Sequence, residues 1–335
     1  MKYVKRSILL SQRRINMTKI AFIFPGQGSQ TVGMGAELIA SNDSSKKFYT
    51  EADSLLGFDL SKLMLEGPQE ELTLTYHAQP ALLTTGVMIA EQLVQNGITP
   101  SFTAGHSLGE YSALVASGVM KFEDAVMAVH KRGLFMNDAV PAGQGSMAAI
   151  LGLDAKALKV VTDQVTADLG EVVQLANLNC PGQIVISGTA KAVEVASEKA
   201  KEAGARRALP LVVSGPFHSE LMRPAASKLQ EMLAGIQMSD AQTPVIANVT
   251  AQSVTSAAEI RGLLVEQLYS PVRWEETVRQ LIAEGVDTFI ECGPGKVLSG
   301  LVKKVDRKLA TYCVYDEASL QAVVEASKEW AVNEI

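Results

Sequence analysis

A chain of 335 residues is longer than a single hydrophobic core usually supports, so it predicts two domains or one large domain carrying an insertion. Hydrophobic residues make up 47% and charged ones 20%, and a net charge of -6 gives no basis for a nucleic-acid or anionic-membrane partner. No apolar run approaches the ~18 residues of a membrane span, and Cys180, Cys292 and Cys313 lack the CxxC spacing of a disulfide framework or a zinc site, so a reducing cytoplasm is the expected home.

Residues 1–16 carry Lys2, Lys5, Arg6, Arg13 and Arg14, and their only apolar cluster, Ile8-Leu9-Leu10, is shorter than the ~7–15 residues of a signal-peptide core. They read as a disordered extension, consistent with an upstream start codon ahead of Met17. Ile20 to Phe24 is a continuous apolar run stopped by Pro25-Gly26, as a buried parallel strand would be. Gly26-x-Gly28 does not continue into a dinucleotide fingerprint, because Thr31 stands where the third glycine belongs. Helical patterns dominate from Glu37 to Leu65, and Thr73 to Pro80 reads as a polar loop leading into a helix from Ala81 to about Gln95.

Gly97 to Ala104 reads as a helix end, a proline stop and a short strand, and small apolar residues from Tyr111 to Ser117 predict a packed helix. Between them lies Gly105-His106-Ser107-Leu108-Gly109-Glu110. A G-x-S-x-G between strand and helix is the pattern of a nucleophile elbow, in which flanking glycines permit a turn too tight for larger side chains. The plainer alternative is a tight turn with a capping serine.

Phe122 to about Ala139 has helical spacing, and His130, Lys131 and Arg132 on it read locally as exposed charge. From Ser146 to Val213 the pattern is strand, helix, strand, strand, helix, strand: Met147–Leu151, Asp154–Ala167, Val172–Ala176, Gln183–Ser187, Thr189–Ala203 and Arg207–Val212. That βαββαβ order is a ferredoxin-like unit. A helix near Leu221–Leu233, a strand at Pro244–Asn248, a helix to about Ala283, a last core strand at Asp287–Glu291 and a helix from Val297 follow. Gly293-Pro294-Gly295-Lys296 is no phosphate loop, since Ile290 holds the place of its first glycine. The alternation predicts an α/β fold with an α/β-hydrolase-like parallel sheet core and an inserted ferredoxin-like small subdomain. The expected division is 17–143 and 213–320 for the large part, 144–212 for the small part, and 321–335 for a tail or helix. A cleft between the two parts is the expected binding site.

A serine nucleophile needs a base, and four histidines are available. His106 adjoins Ser107 and reads as a packed core residue; His77 lies in the predicted loop and His130 on a basic helix. His218 follows a strand and a Pro-Phe turn, at a loop tip where such folds present reactive groups.

Seven blocks extend the pattern: Phe24-Pro25-Gly26-Gln27-Gly28-Ser29-Gln30, Gln79-Pro80-Ala81, the elbow, Asn179-Cys180-Pro181-Gly182-Gln183, Gly215-Pro216-Phe217-His218-Ser219, Ser270-Pro271-Val272-Arg273-Trp274 and Gly293-Pro294-Gly295. They occur in the order seen in malonyl-CoA:acyl carrier protein transacylases, and from Met17 to about Ala318 the chain resembles the stand-alone bacterial enzyme of type II fatty acid synthesis. The resemblance implies Ser107 as nucleophile, His218 as its base and Gln267 orienting that base through its main-chain carbonyl. It implies an oxyanion hole from the amides of Gln27 and Leu108, and Arg132 as holder of the malonyl carboxylate. Phe217 would fill the space beside the acyl α-carbon and Asn179 would border the cleft. Malonyl-CoA and acyl carrier protein are the implied partners, with a monomer, no metal and no bound cofactor. Arg206 and Arg207, just before the last strand of the small unit, are the expected contacts for an acidic carrier protein. The alternatives are a serine esterase or thioesterase, which would need an acidic triad member between serine and histidine, a transacylase loading a polyketide synthase, and a carrier-docking module with a dead site.

Overall fold

Strand β1, Ile20–Phe24, is apolar and buried at every position, as a strand covered on both faces must be. The computed structural model describes residues 18–331, so the extension expected over residues 1–16 lies outside the described residues. The further strands are β2 Phe102–Gly105, β3 Gly145–Leu151, β4 Val173–Cys180, β5 Gln183–Thr189, β6 Arg207–Pro210, β7 Val245–Ile246, β8 Ser253–Val254, β9 Thr288–Cys292 and β10 Ala310–Val314.

They form two sheets. The larger has the order β10-β9-β1-β2-β7-β8 and is parallel except for the short β7–β8 hairpin. The smaller has the order β4-β5-β3-β6, is antiparallel throughout, and carries the helices Ala155–Leu169 and Ala190–Glu202. Its element order is the expected βαββαβ, and β1–β2 precede it in the chain while β7–β10 follow it, so it interrupts the large sheet as an insertion. Asp154 and Thr189 start its two helices by accepting the amides of Ala157 and Ala192.

The two sheets are tied by main-chain bonds. Strand β4 is irregular between Leu175 and Asn177 and again between Leu178 and Cys180, which frees groups that a regular ladder would consume. Ala176 C=O accepts the Val272 N–H at 2.8 Å, and Leu178 N–H donates to Val272 C=O at 2.9 Å. The segment after Gln267 is thereby fixed to the small sheet.

One expectation is corrected. Thr73 to Pro80 is not a loop up to Ala81: the helix runs Thr75–Gln95, with Pro80 inside it. A proline there removes the N–H that would bond the carbonyl four residues back, and that carbonyl, Tyr76 C=O, instead accepts from His130 Nδ1 at 2.8 Å. The polar letters that suggest a loop, Thr75 and Gln79, are buried and bonded within the protein. Of the tail or helix expected from residue 321, the described part is helix, and that helix, Glu317–Ala331, begins earlier. Edge strand β10 and the helix Ala257–Gln267 complete the large sheet and its covering.

Close approach at the end of β1 makes one glycine obligatory. A Cβ on Gly109 would stand 2.1 Å from Phe24 O, whereas one on Gly262, at an exposed position of the helix Ala257–Gln267, would meet nothing within 4 Å. Gly109→Ala should therefore cost about 1–3 kcal/mol, and Gly262→Ala should add roughly 0.5–1 kcal/mol. Urea midpoints at unchanged m-value measure both; a neutral Gly109→Ala would show that β1 and the elbow are not in contact.

Candidate active site

Strand β2 delivers Ser107 to the carboxyl end of the parallel sheet, where open α/β sheets place their ligands. Ser107 has φ 51, the left-handed conformation of a strained turn. Gly105 permits the turn, since a Cβ there would lie 1.9 Å from Gly109 C. Ser107 Oγ lies 2.8 Å from His218 Nε2, and His218 Nδ1 lies 2.8 Å from Gln267 C=O. A carbonyl can only accept, so Nδ1 carries the ring proton and Nε2 faces Ser107 with a free lone pair. His218 itself has φ 56, and Gln174 of β4 donates to its carbonyl at 3.5 Å, linking the small sheet to this loop.

Arg132 overturns the local reading of exposed charge: it is 1% exposed, on the buried side of the helix Phe122–Asp138. Its Nη1 donates to Gln79 Oε1 at 2.7 Å, and its Nη2 donates to Gln267 Oε1 at 2.8 Å and to Ser107 Oγ at 3.0 Å. The guanidinium stands 5.6 Å from the centre of the Tyr111 ring. Among the described residues no carboxylate pairs with it. The nearest relation to an acid runs through Gln267, whose Nε2 donates to Glu110 Oε2 at 2.7 Å. The helix pair that holds Arg132 packs closely, because a Cβ on Gly133 would stand 2.6 Å from Tyr76 Cα.

The electrostatics follow from burial around this charge. Desolvation first, and the Arg132 guanidinium second, push His218 down to about 3, so its imidazole is neutral at physiological pH. Burial pushes Glu110 up to about 7, against the opposing effect of its bonds from Gln267 and Asn248. Burial also lowers Arg132, which stays protonated as guanidinium does in proteins.

Ser107, His218 and Arg132 line a cleft of about 170 Å³ together with Gln27, Leu108 and Phe217. The small sheet contributes Met147 and Asn177 to the opposite wall, so the cleft lies between the two sheets as expected. Among the described residues no acceptor takes the amide of Gln27 or of Leu108. Both are therefore free to donate to an oxygen in the cleft. Phe217 is 7% exposed and lines the cavity beside His218.

Three expected residues stand elsewhere. Asn179 does not line the cleft: its Oδ1 is bonded to His106 Nε2 at 2.9 Å, and the neighbouring inward position on β4, Asn177, reaches the cavity instead. Arg206 and Arg207 are exposed and lie at the start of β6, whereas the residues beyond its far end, Leu211 to Val213, form the rim of the cleft. Sequence reading missed Gln79 as a partner of Arg132, Gln174, Glu110 and Asn248. Gln79 and Glu110 do fall inside the quoted blocks; Asn248 and Gln174 carry no local signal.

An acyl transferase domain model matches residues 21–324. The chain is 64% identical over 313 residues to the malonyl CoA-acyl carrier protein transacylase of Bacillus subtilis (strain 168), covering 93% of this chain and 98% of that protein. The crystal structure of an acyl carrier protein S-malonyltransferase from Vibrio cholerae superposes with a TM-score of 0.89 at 48% identity, over 91% of this chain and 100% of the other. A malonyl-transacylase in complex with a type II PKS acyl-carrier protein superposes with a TM-score of 0.89 at 46% identity, over 92% and 100%. With that identity sustained along nearly the whole of each relative, the chain belongs to the malonyl CoA-acyl carrier protein transacylase family of acyl transferase domains.

Proposed function

We propose that this protein transfers a malonyl group from malonyl-CoA to the phosphopantetheine thiol of an acyl carrier protein, through an ester on Ser107, and so supplies fatty acid chain elongation. The observation that carries this reading is Arg132: a buried cation without a carboxylate partner among the described residues, 3.0 Å from the serine hydroxyl. Such a site favours an acyl group that brings its own negative charge, held by a planar two-pronged donor.

The steps follow from the hydrogen-bond directions. Ser107 Oγ attacks the thioester carbonyl carbon as its proton passes to His218 Nε2, and the carbonyl oxygen, now an oxyanion, is received by the amides of Gln27 and Leu108. The C–S bond breaks, and coenzyme A takes the proton back from Nε2. The carrier thiol then gives its proton to the same nitrogen and attacks the ester, and Ser107 leaves with that proton. Gln267 C=O keeps Nδ1 protonated throughout. The reading requires no resident cofactor, because the coenzyme is part of the substrate. Hydrolysis is less well supported, since the third member behind His218 is a neutral carbonyl and an arginine at the acyl pocket gives an esterase nothing.

The acyl carrier protein in complex with a related transacylase supports the choice of acceptor. Arg206 and Arg207 keep their proposed part in docking it, at a distance from the catalytic cleft along β6. Among the described residues no helix is long and apolar enough to cross a membrane; a cytoplasmic monomer completes the proposal.

Incubation with malonyl-CoA followed by intact-mass measurement should show one acyl adduct on the native chain and none on Ser107→Ala; an adduct persisting on the alanine variant would refute the nucleophile. For Arg132→Ala, loss of a buried charge partner worth about 2–5 kcal/mol should remove the preference for malonyl-CoA over acetyl-CoA. Arg132→Lys, which keeps the charge without the fork, should fall between. Wild-type discrimination in Arg132→Ala would assign selectivity to another residue.

The pH dependence has a definite sign. A histidine pushed down to about 3 keeps its lone pair far below the ordinary value of about 6.5, so the rate of Ser107 acylation should show no acid break near 6.5. Activity should fall only as pH moves toward the depressed value. Stopped-flow acylation across that range tests this, and an inflection at the ordinary histidine value would place His218 in a wetter site than the structure gives it.

A further inference from the structure

Asn248 is completely buried and uses every polar atom it has. Its Nδ2 donates to Gly105 C=O at 2.7 Å, and its Oδ1 accepts the Ser107 N–H at 2.7 Å, so one side-chain amide spans the nucleophile turn from before the serine to the serine itself. Its own N–H donates to Glu110 Oε2 at 3.2 Å and its carbonyl accepts from Arg273 N–H at 3.0 Å. Gln267 Nε2 also approaches its Oδ1 at 3.3 Å. The placement follows from topology: β7 lies parallel to β2, with Ala104 opposite Ile246, so the chain leaving β7 comes alongside the chain leaving β2.

We infer that Asn248 is the positioning residue of the elbow: its amide clamps the turn between Gly105 and Ser107 and thereby holds Ser107 in the left-handed conformation that aims Oγ at His218. The inference rests on Ser107 being the nucleophile. A left-handed conformation costs a non-glycine residue on the order of 1–3 kcal/mol unless its surroundings over-determine it, and two hydrogen bonds across the turn supply that restraint. The clamp has a second effect. With the Ser107 N–H committed to Oδ1, the first uncommitted amide after the strand is that of Leu108, which is the one proposed to receive the oxyanion.

Only a group with a donor on one side and an acceptor on the other performs this task at this length. A neutral carboxyl reproduces both bonds; an ionised carboxylate has no donor for Gly105 C=O and faces it with like polarity. The charged or titratable groups around the position are His106 on the turn, Glu110 on the following helix, Arg132 beyond Gln267, His218 bonded to the Gln267 carbonyl, and Arg273 on the loop from Asn248 C=O. All of them are kept in the variant, and since an ionised carboxyl at 248 would also raise Glu110 beside it, a stability cycle serves as the independent check.

Single-turnover acylation of Ser107 in Asn248→Asp, from about pH 5.5 to about pH 9, should approach the native rate at the acid end. It should fall roughly tenfold or more below native as the carboxyl ionises. Asn248→Leu should be impaired at every pH. An Asn248→Asp profile parallel to the native one, whether reduced or not, overturns the clamp. A stability cycle needs no activity and keeps the inference separable from the transferase reading. Asn248→Ala should destabilise the native chain more than it destabilises Ser107→Gly, where glycine needs no clamp to adopt the turn. Equal losses in the two backgrounds overturn the proposal. A native chain that forms no malonyl ester while the cycle shows coupling would reject the function and leave the clamp standing.

Discussion

The centre of this molecule is arranged around the burial of one guanidinium. Removing a charge from water costs several kcal/mol even after relaxation, and Arg132 meets that cost with dipoles: the amide oxygens of Gln79 and Gln267, the Ser107 hydroxyl and the face of Tyr111. A carboxylate in the same place would have been a tighter partner and would have closed the site to an anionic acyl group. Neutral acceptors hold the cation in position and leave its charge available. The nearest protein acid, Glu110, is kept one amide away, on the far side of Gln267.

Gln267 is consequently shared by every part of the site. Its carbonyl fixes the tautomer of His218, its Oε1 holds Arg132, and its Nε2 reaches the Ser107 carbonyl at 3.0 Å and Glu110 at 2.7 Å. The residue closes a helix, and the segment after it is pinned to β4 by Val272, so the two sheets meet behind the base. A relative shift of the sheets would change base, cation and elbow together. That dependence gives the insertion a mechanical role in addition to lining the cleft.

Much of this was legible in the sequence, and the remainder follows a rule. The elbow, the βαββαβ unit and the buried parallel strands announce themselves because their determinants are local: glycine at a turn, apolar runs of strand length, helical spacing. Ser107 and His218 could be paired only through resemblance, since the bond between them spans 111 positions. Arg132 looks exposed between neighbours such as Lys131 because helical sequence shows which side a residue occupies but not what covers that side. Thr75 and Gln79 look like loop because their polarity is satisfied by distant partners. Pro80 reads as the last residue of a loop before the helix, yet the helix runs through it and His130 from the next helix takes the carbonyl that the proline frees. In each case the misleading feature is a polar group whose partner is remote in sequence, and such partners gather where the site is built.

The same electrostatics couple substrate recognition to chemistry. Two causes hold His218 at about 3: burial, and the unneutralised charge of Arg132. On the proposed reading, a malonyl carboxylate seated on Arg132 would cancel the second while leaving the first, so the imidazole would become more basic with the correct acyl group in place. A neutral acetyl group leaves the arginine charge standing and the base weak. Discrimination would then act twice, once in binding at Arg132 and once in the proton transfer from Ser107. Glu110, lifted to about 7 mainly by burial, owes little of its position to the arginine, so on the proposed reading the effect of the substrate carboxylate would fall chiefly on His218.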